Sequence, residues 1–80
     1  MTKEEIFEGL LEVFKVIRPK LDPNAISPDS RLIADLGVDS LSMMLLALAS
    51  EEKFNIKFSQ NVFETVNDVC EYILSAKKDA

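Results

Sequence analysis

A serine hydroxyl is the most conspicuous reactive group in this chain. Gly37-Val38-Asp39-Ser40-Leu41 lies mid-sequence, after a loop holding all three prolines and directly before an apolar helical segment. A glycine turn followed by Asp-Ser puts the hydroxyl at the opening of a helix, where unpaired backbone N–H groups favour anions. The 80 residues contain no histidine. No Ser-His-Asp or Cys-His pair can therefore be assembled, and no histidine-ligated zinc site is available. One cysteine, Cys70, supplies neither a thiolate metal cage nor an internal disulfide. Asp22-x-Asn24 has the opening of a calcium loop but lacks its glycine and its twelfth-position glutamate, since Ile33 stands there. No metal site is expected. The carboxylates and lysines form no cleft-like constellation, so the chain is not expected to be an enzyme.

The elements that must position Ser40 are helical. Thr2-Lys3-Glu4-Glu5 has the spacing of a capping box. Ile6, Leu10, Val13, Phe14 and Ile17 then recur as one apolar stripe, flanked by Leu11. Gly9 weakens this first helix by about 1 kcal/mol relative to alanine, and Pro19 should stop it near Arg18. Residues 19–38 read as consecutive turns built on Pro19, Pro23 and Pro28 with Asp, Asn and Ser between them. A connection of this length is usually functional or tied down. Ile26, Leu32, Ile33 and Leu36 are its expected ties to the core.

The second helix is expected from about Ser40 to Lys53, with Asp39 as N-cap. At about 100° per residue, Met43, Leu46, Ala47, Ser50 and Phe54 share one face, while Leu41, Met44, Leu45 and Leu48 share nearly the opposite one. A helix apolar on both sides is either enclosed or lends one side to a partner. A domain of this size can hardly enclose it, so the outer stripe is assigned to a partner. Core packing is the competing reading of that stripe.

Phe54-Asn55-Ile56-Lys57-Phe58 alternates like a strand but has no partner strand, and is read as an extended connector. A very short helix is expected from Ser59 to Phe63, with Phe58 and Phe63 as its hydrophobic staple. Thr65-Val66-Asn67-Asp68 opens the last helix, whose inner stripe is Val66, Val69, Cys70 and Ile73, flanked by Leu74. Lys77 and Lys78 suit its C-terminal end. Phe7 and Tyr72 are assigned to packing, and Cys70 to the core as a small buried residue. The expected fold is a single all-α domain over residues 1–80, with about 77–80 as a frayed tail. It is a small four-helix bundle of three longer helices and one short one, with a long loop between the first two. The 48% hydrophobic content suffices for its core without staples.

The net charge of −5 argues against nucleic acid and anionic membranes and mildly favours basic partner surfaces. With one cysteine, no recognisable signal peptide and no membrane-length apolar run, a cytoplasmic monomer is expected.

The run Leu32-Ile33-Ala34-Asp35-Leu36-Gly37-Val38-Asp39-Ser40-Leu41 closely resembles the modification site of acyl carrier proteins. The resemblance extends to the amphipathic first helix, the proline-rich loop, Glu51-Glu52-Lys53-Phe54-Asn55-Ile56, and Thr65-Val66-Asn67-Asp68 leading to Tyr72-Ile73, in the family's order. It implies that Ser40 carries a covalent 4′-phosphopantetheine arm, installed from coenzyme A by a phosphopantetheinyl transferase. The arm's thiol would hold acyl groups as thioesters and shuttle them between acyl-loading and acyl-processing enzymes of fatty acid, polyketide or related biosynthesis. Asp39 would cap the helix and help the transferase recognise the site, Leu41 would contact it, and Gly37 would permit the turn that exposes Ser40. Cap and turn alone remain open for Asp39 and Gly37.

Two departures bear on the pathway. Fatty-acid-synthesis carriers place several acids along the second helix, whereas Ser42, Met43, Met44 and Leu45 follow Leu41 here, and acids return only at Glu51 and Glu52. The segment before the last helix is also about three residues shorter. A specialised carrier with a partner surface of Met44, Leu45, Leu48, Glu51 and Glu52 fits better. The alternatives are an aminoacyl or peptidyl carrier, and an unmodified helical module using the Leu/Met stripe in a partner's groove.

Overall fold

The computed structural model describes residues 2–58 and 63–78, with the side chain of Lys78 outside the description. Among the described residues three α-helices follow one another: α1, Lys3–Ile17; α2, Ser40–Phe54; and α3, Val66–Lys78, with a 3₁₀ turn at Pro23–Ala25 between the first two. The architecture is all-helical, as the apolar periodicities predict. The expected short helix from Ser59 to Phe63 falls largely on residues 59–62, outside the described ones.

Each helix begins where its local chemistry dictates. Thr2 Oγ1 accepts from the Glu5 amide at 3.2 Å while the Glu5 carboxylate accepts from the Thr2 amide at 2.8 Å, completing a capping box on α1. The same reciprocity recurs at α3, where Thr65 Oγ1 accepts from Asp68 N at 3.2 Å and Asp68 accepts from Thr65 N at 3.1 Å. At the far ends, Arg18 caps α1 just before Pro19, and Asn55 caps α2 in the left-handed conformation at φ 56°. That asparagine carries α2 through Phe54, so the alternating stretch after Lys53 begins as helix.

The helices converge on one core. Ile6, Leu10, Val13 and Phe14 of α1 meet Met43, Leu46 and Phe54 of α2 and Val66, Val69, Cys70 and Ile73 of α3. Phe7 and Tyr72 pack against this core, as assigned. Phe58 and Phe63 meet edge to face with centroids 5.6 Å apart, and Tyr72 meets Phe58 at a tilt and Phe63 edge-on, at 5.0 and 5.7 Å. The expected pairing of the two phenylalanines thus exists, with a tyrosine of α3 as its third member. Such pairs add about 0.5–1.5 kcal/mol beyond area burial.

Gly9 lies where α1 packs closely against the end of α2. A Cβ there would sit 2.7 Å from Phe54 Cζ and 3.1 Å from Lys53 Cε. The glycine that costs α1 helix propensity is therefore the residue that admits the Phe54 ring. Gly9→Ala should lower the melting temperature, because forcing a methyl against a buried ring costs about 1–3 kcal/mol against about 1 kcal/mol of propensity gained. A higher melting temperature would mean that the ring shifts freely and the contact is not tight.

The long loop is tied down by both apolar side chains and backbone. Ile26, Leu32, Leu36 and Val38 are buried. Leu32 N donates to Glu64 O at 2.9 Å, Val66 N to Ser30 O at 3.1 Å and Asn67 N to Pro28 O at 2.9 Å, fastening the loop to the start of α3. Ile33 is a correction: it was expected in the core and is 64% exposed. Residues 31–37 coil into helix-like turns, with Asp35 N donating to Arg31 O and Gly37 N to Ile33 O. In such a coil Leu32 and Leu36 share a face while Ile33 is rotated away from it.

Candidate functional site

The geometry around Ser40 is built by the turn that precedes it. Asp35 accepts from the Arg31 amide at 2.7 Å and faces Arg31 Nε at 3.5 Å, closing the coil from its open end. That amide bond holds the Asp35 carboxyl below its ordinary pKa. Gly37 then reverses the chain at φ 66°, a conformation that costs other residues a Cβ clash. Val38 inserts into the core and donates its N–H back to Leu32 O at 2.9 Å. A buried valine on one side and an exposed Asp39 on the other leave the chain one way to go.

Asp39 caps α2. Its Oδ1 accepts from Ser42 N at 2.7 Å while its carbonyl accepts the first helical bond from Met43 N at 2.8 Å. Ser40 is the first residue of α2 and is exposed. The first-turn amides of Asp39, Ser40 and Leu41 have no intrahelical acceptor, so the hydroxyl stands beside donors that suit an anion.

The amide of Ser42 is the main reason that the Asp39 carboxyl titrates below the ordinary aspartate value, with a lesser attraction from Arg18. A depressed folded pKa stabilises the fold above the unfolded value and is lost as pH falls through the folded one. Asp39→Asn retains an acceptor at the cap without its titration. Its melting temperature should accordingly fall less between pH 7 and pH 3 than that of the wild type. Equal acid sensitivity would show that the cap charge contributes nothing.

Two residues near the site had no signal in the sequence. Arg18 lies far from Gly37 along the chain, yet its Nη2 would be 3.3 Å from a Cβ at Gly37. Exposed Ile33 lies in the coil that leads into the Gly37 turn. The Arg18 placement depends on how the loop crosses the bundle, and that of Ile33 on the coil of residues 31–37, whose turn direction hydrophobicity does not encode.

Along α2 the two faces separate as their spacing implies. Met43, Leu46, Ala47, Ser50 and Phe54 are buried, whereas Leu41, Met44, Leu45 and Leu48 are 65%, 49%, 42% and 55% exposed. Glu52 is exposed, but Glu51 is half-buried and accepts from Phe58 N at 2.7 Å, so it fastens the connector after α2. Cys70 is buried in the core and its thiol is pushed up to about 11 by desolvation, which leaves it no thiolate at neutral pH.

The family described as "Phosphopantetheine attachment site" matches residues 5–73. The chain belongs to the acyl carrier protein family. It is 32% identical over 81 residues to the meromycolate extension acyl carrier protein of Mycolicibacterium smegmatis, an alignment spanning 98% of this chain and 81% of that protein. The acyl carrier protein of Acidothermus cellulolyticus is 34% identical over 83 residues, covering 100% of this chain and 98% of its own length. That of Campylobacter hominis is 37% identical over 78 residues, with 94% and 98% covered. The protein is a carrier and not a catalyst. Its family is modified covalently with 4′-phosphopantetheine by phosphopantetheinyl transferases and works with acyl-processing enzymes.

The residues present suit that group. An exposed hydroxyl stands at a helix start, Gly37 keeps the preceding turn narrow, and the cap carboxylate is turned onto Ser42 N. No helix among the described residues is long and apolar enough to cross a membrane.

Proposed function

We propose that Ser40 is the attachment point and that the chain is a carrier dedicated to a specialised acyl pathway. The observation that carries the first half is the exposed Ser40 hydroxyl at the first position of α2, presented by the Gly37 turn and the Asp39 cap. In the transfer, Ser40 Oγ bonds to the phosphorus of coenzyme A that bears the pantetheine, the pyrophosphate P–O bond breaks, and adenosine 3′,5′-bisphosphate leaves. The hydroxyl proton passes to a base of the transferase. Once attached, the arm supplies a thiol that holds the acyl group as a thioester. The protein itself supplies effective concentration and an address. Asp39, Gly37 and Leu41 serve transferase recognition, the first two through the shape of the turn and Leu41 through its exposed side chain.

The second half rests on the surface of α2. Leu41, Met44, Leu45 and Leu48 are large, apolar and solvent-facing, with exposed Glu52 near the far end. Large apolar side chains collected on one helix face mark interaction sites. Docking by apolar burial suits a cognate enzyme whose surface matches the stripe, and that binding should be less salt-dependent than docking through acids. The likeness to a carrier of meromycolate extension supports a lipid pathway, and the surface of α2 carries the distinction from housekeeping synthesis. A single monomeric domain working in the cytoplasm completes the reading.

Intact-protein mass spectrometry of material from its own cell tests both halves together. The expected result is one arm on the protein and an acyl group on its thiol. An aminoacyl group would favour a peptidyl carrier, and an unmodified chain in cells with active transferases would favour the bare interaction module.

A further inference from the structure

Arg18 ends α1 as its C-cap residue, and its half-buried side chain does not extend into open solvent. Its Nη2 lies against the Gly37 turn, 3.3 Å from where a side chain would begin. Lys3, Arg31 and Lys53 each face a carboxylate, Glu71, Asp35 and Glu12. Among the described residues no carboxylate lies within ion-pair distance of Arg18. Asp39, the acid nearest to it in that turn, directs its Oδ1 to Ser42 N instead. A guanidinium held over the turn that presents Ser40 thus forms no direct ion pair and acts on Asp39 only at longer range.

We infer that Arg18 is the counter-cation for the phosphodiester on Ser40 and holds the root of the arm against the Gly37 turn. The inference rests on Ser40 being the attachment point. A phosphodiester carries one negative charge at neutral pH, and attachment puts it on the residue next to the Asp39 carboxylate. Two like charges so close repel unless a cation intervenes. Arginine's planar fork matches phosphate oxygens, and its charge does not titrate. The start of α2 adds a weaker attraction of the same sign. On this reading Gly37 has a second duty, since a Cβ there would crowd the guanidinium as well as strain the turn.

The test compares the unmodified and arm-bearing forms of the wild type, Arg18→Gln and Arg18→Lys, each verified by intact mass. Circular dichroism melting in low salt should show that the arm changes the wild-type melting temperature more favourably than that of Arg18→Gln, by about 2–6 °C. Arg18→Lys should retain part of this gain, and about 0.5 M salt should remove most of it. The phosphorus resonance of the arm should also shift between wild type and Arg18→Gln. An arm-induced change equal in wild type and Arg18→Gln overturns the inference, as does one indifferent to salt. If Arg18→Gln lowers both forms equally, Arg18 is a helix cap only. Should Arg18→Gln fail to fold, the salt dependence in the wild type and the Arg18→Lys result decide. Failure to acquire the arm's mass strikes the attachment reading and leaves the role of Arg18 to fall with it.

Discussion

Ser40→Ala, incubated with coenzyme A and an active broad-specificity phosphopantetheinyl transferase, should gain no mass, while the wild type gains one arm. The expected effect is all or none. A transferase needs a hydroxyl oxygen that can reach phosphorus, and Ser40 supplies one at an exposed helix start. Of the other described serines, exposed Ser27 and Ser75 lie in the loop and within α3, away from the opening of a long helix. Ser42 and Ser50 are buried in α2, and Ser30 is buried in the loop, accepting from Ser27 N at 3.0 Å. Helicity should survive the change, with stability shifted by no more than about 1 kcal/mol, because an exposed first-turn side chain contributes little to packing. Full modification of Ser40→Ala, or none of the wild type by several active transferases, would refute the attachment site.

What could be read from the sequence is what depends on neighbours along the chain. Thr2 and Thr65 cap their helices through residues three positions away, and Asp39 does so through Ser42, so the helix starts were legible. The turn at Gly37 was legible for the same reason. Ile33 faces away from the core because the hydrogen bonds within residues 31–37 set which way the coil turns, which hydrophobicity alone does not say. Gly9 reads in the sequence as a weak point of α1, whereas in the fold it makes room for the Phe54 ring. Glu51, assigned to a partner surface, accepts from Phe58 N across the end of α2. Arg18 reaches Gly37 only because the loop returns to the end of α1. The Gly9–Phe54 and Arg18–Gly37 approaches join segments distant in sequence, where pattern carries no register, whereas Ile33 and Glu51 are set by hydrogen bonds a few residues away.

The adjacent residues Leu45 and Leu46 should respond oppositely to substitution. Leu46 is 2% exposed and belongs to the core formed with α1 and α3, whereas Leu45 is 42% exposed on the outer face. Leu46→Ala removes buried methyl groups and leaves a cavity, which should cost about 2–5 kcal/mol and lower the denaturation midpoint sharply. Leu45→Glu places a charge where water already reaches, so the denaturation midpoint should move little. It also installs an acid at a position where typical fatty-acid-synthesis carriers have one. If a cognate enzyme docks by apolar burial, Leu45→Glu should weaken that complex and steepen its salt dependence, with the fold intact by circular dichroism. It could at the same time strengthen recognition by a housekeeping fatty acid enzyme with a basic docking surface. Paired measurements separate the two roles of α2: stability loss at Leu46 with binding loss at Leu45 assigns the inner face to the core and the outer face to partners. Unfolding by Leu45→Glu would instead make the stripe part of the core. The dedicated-partner reading would then fail while the attachment of the arm at Ser40 stood untouched.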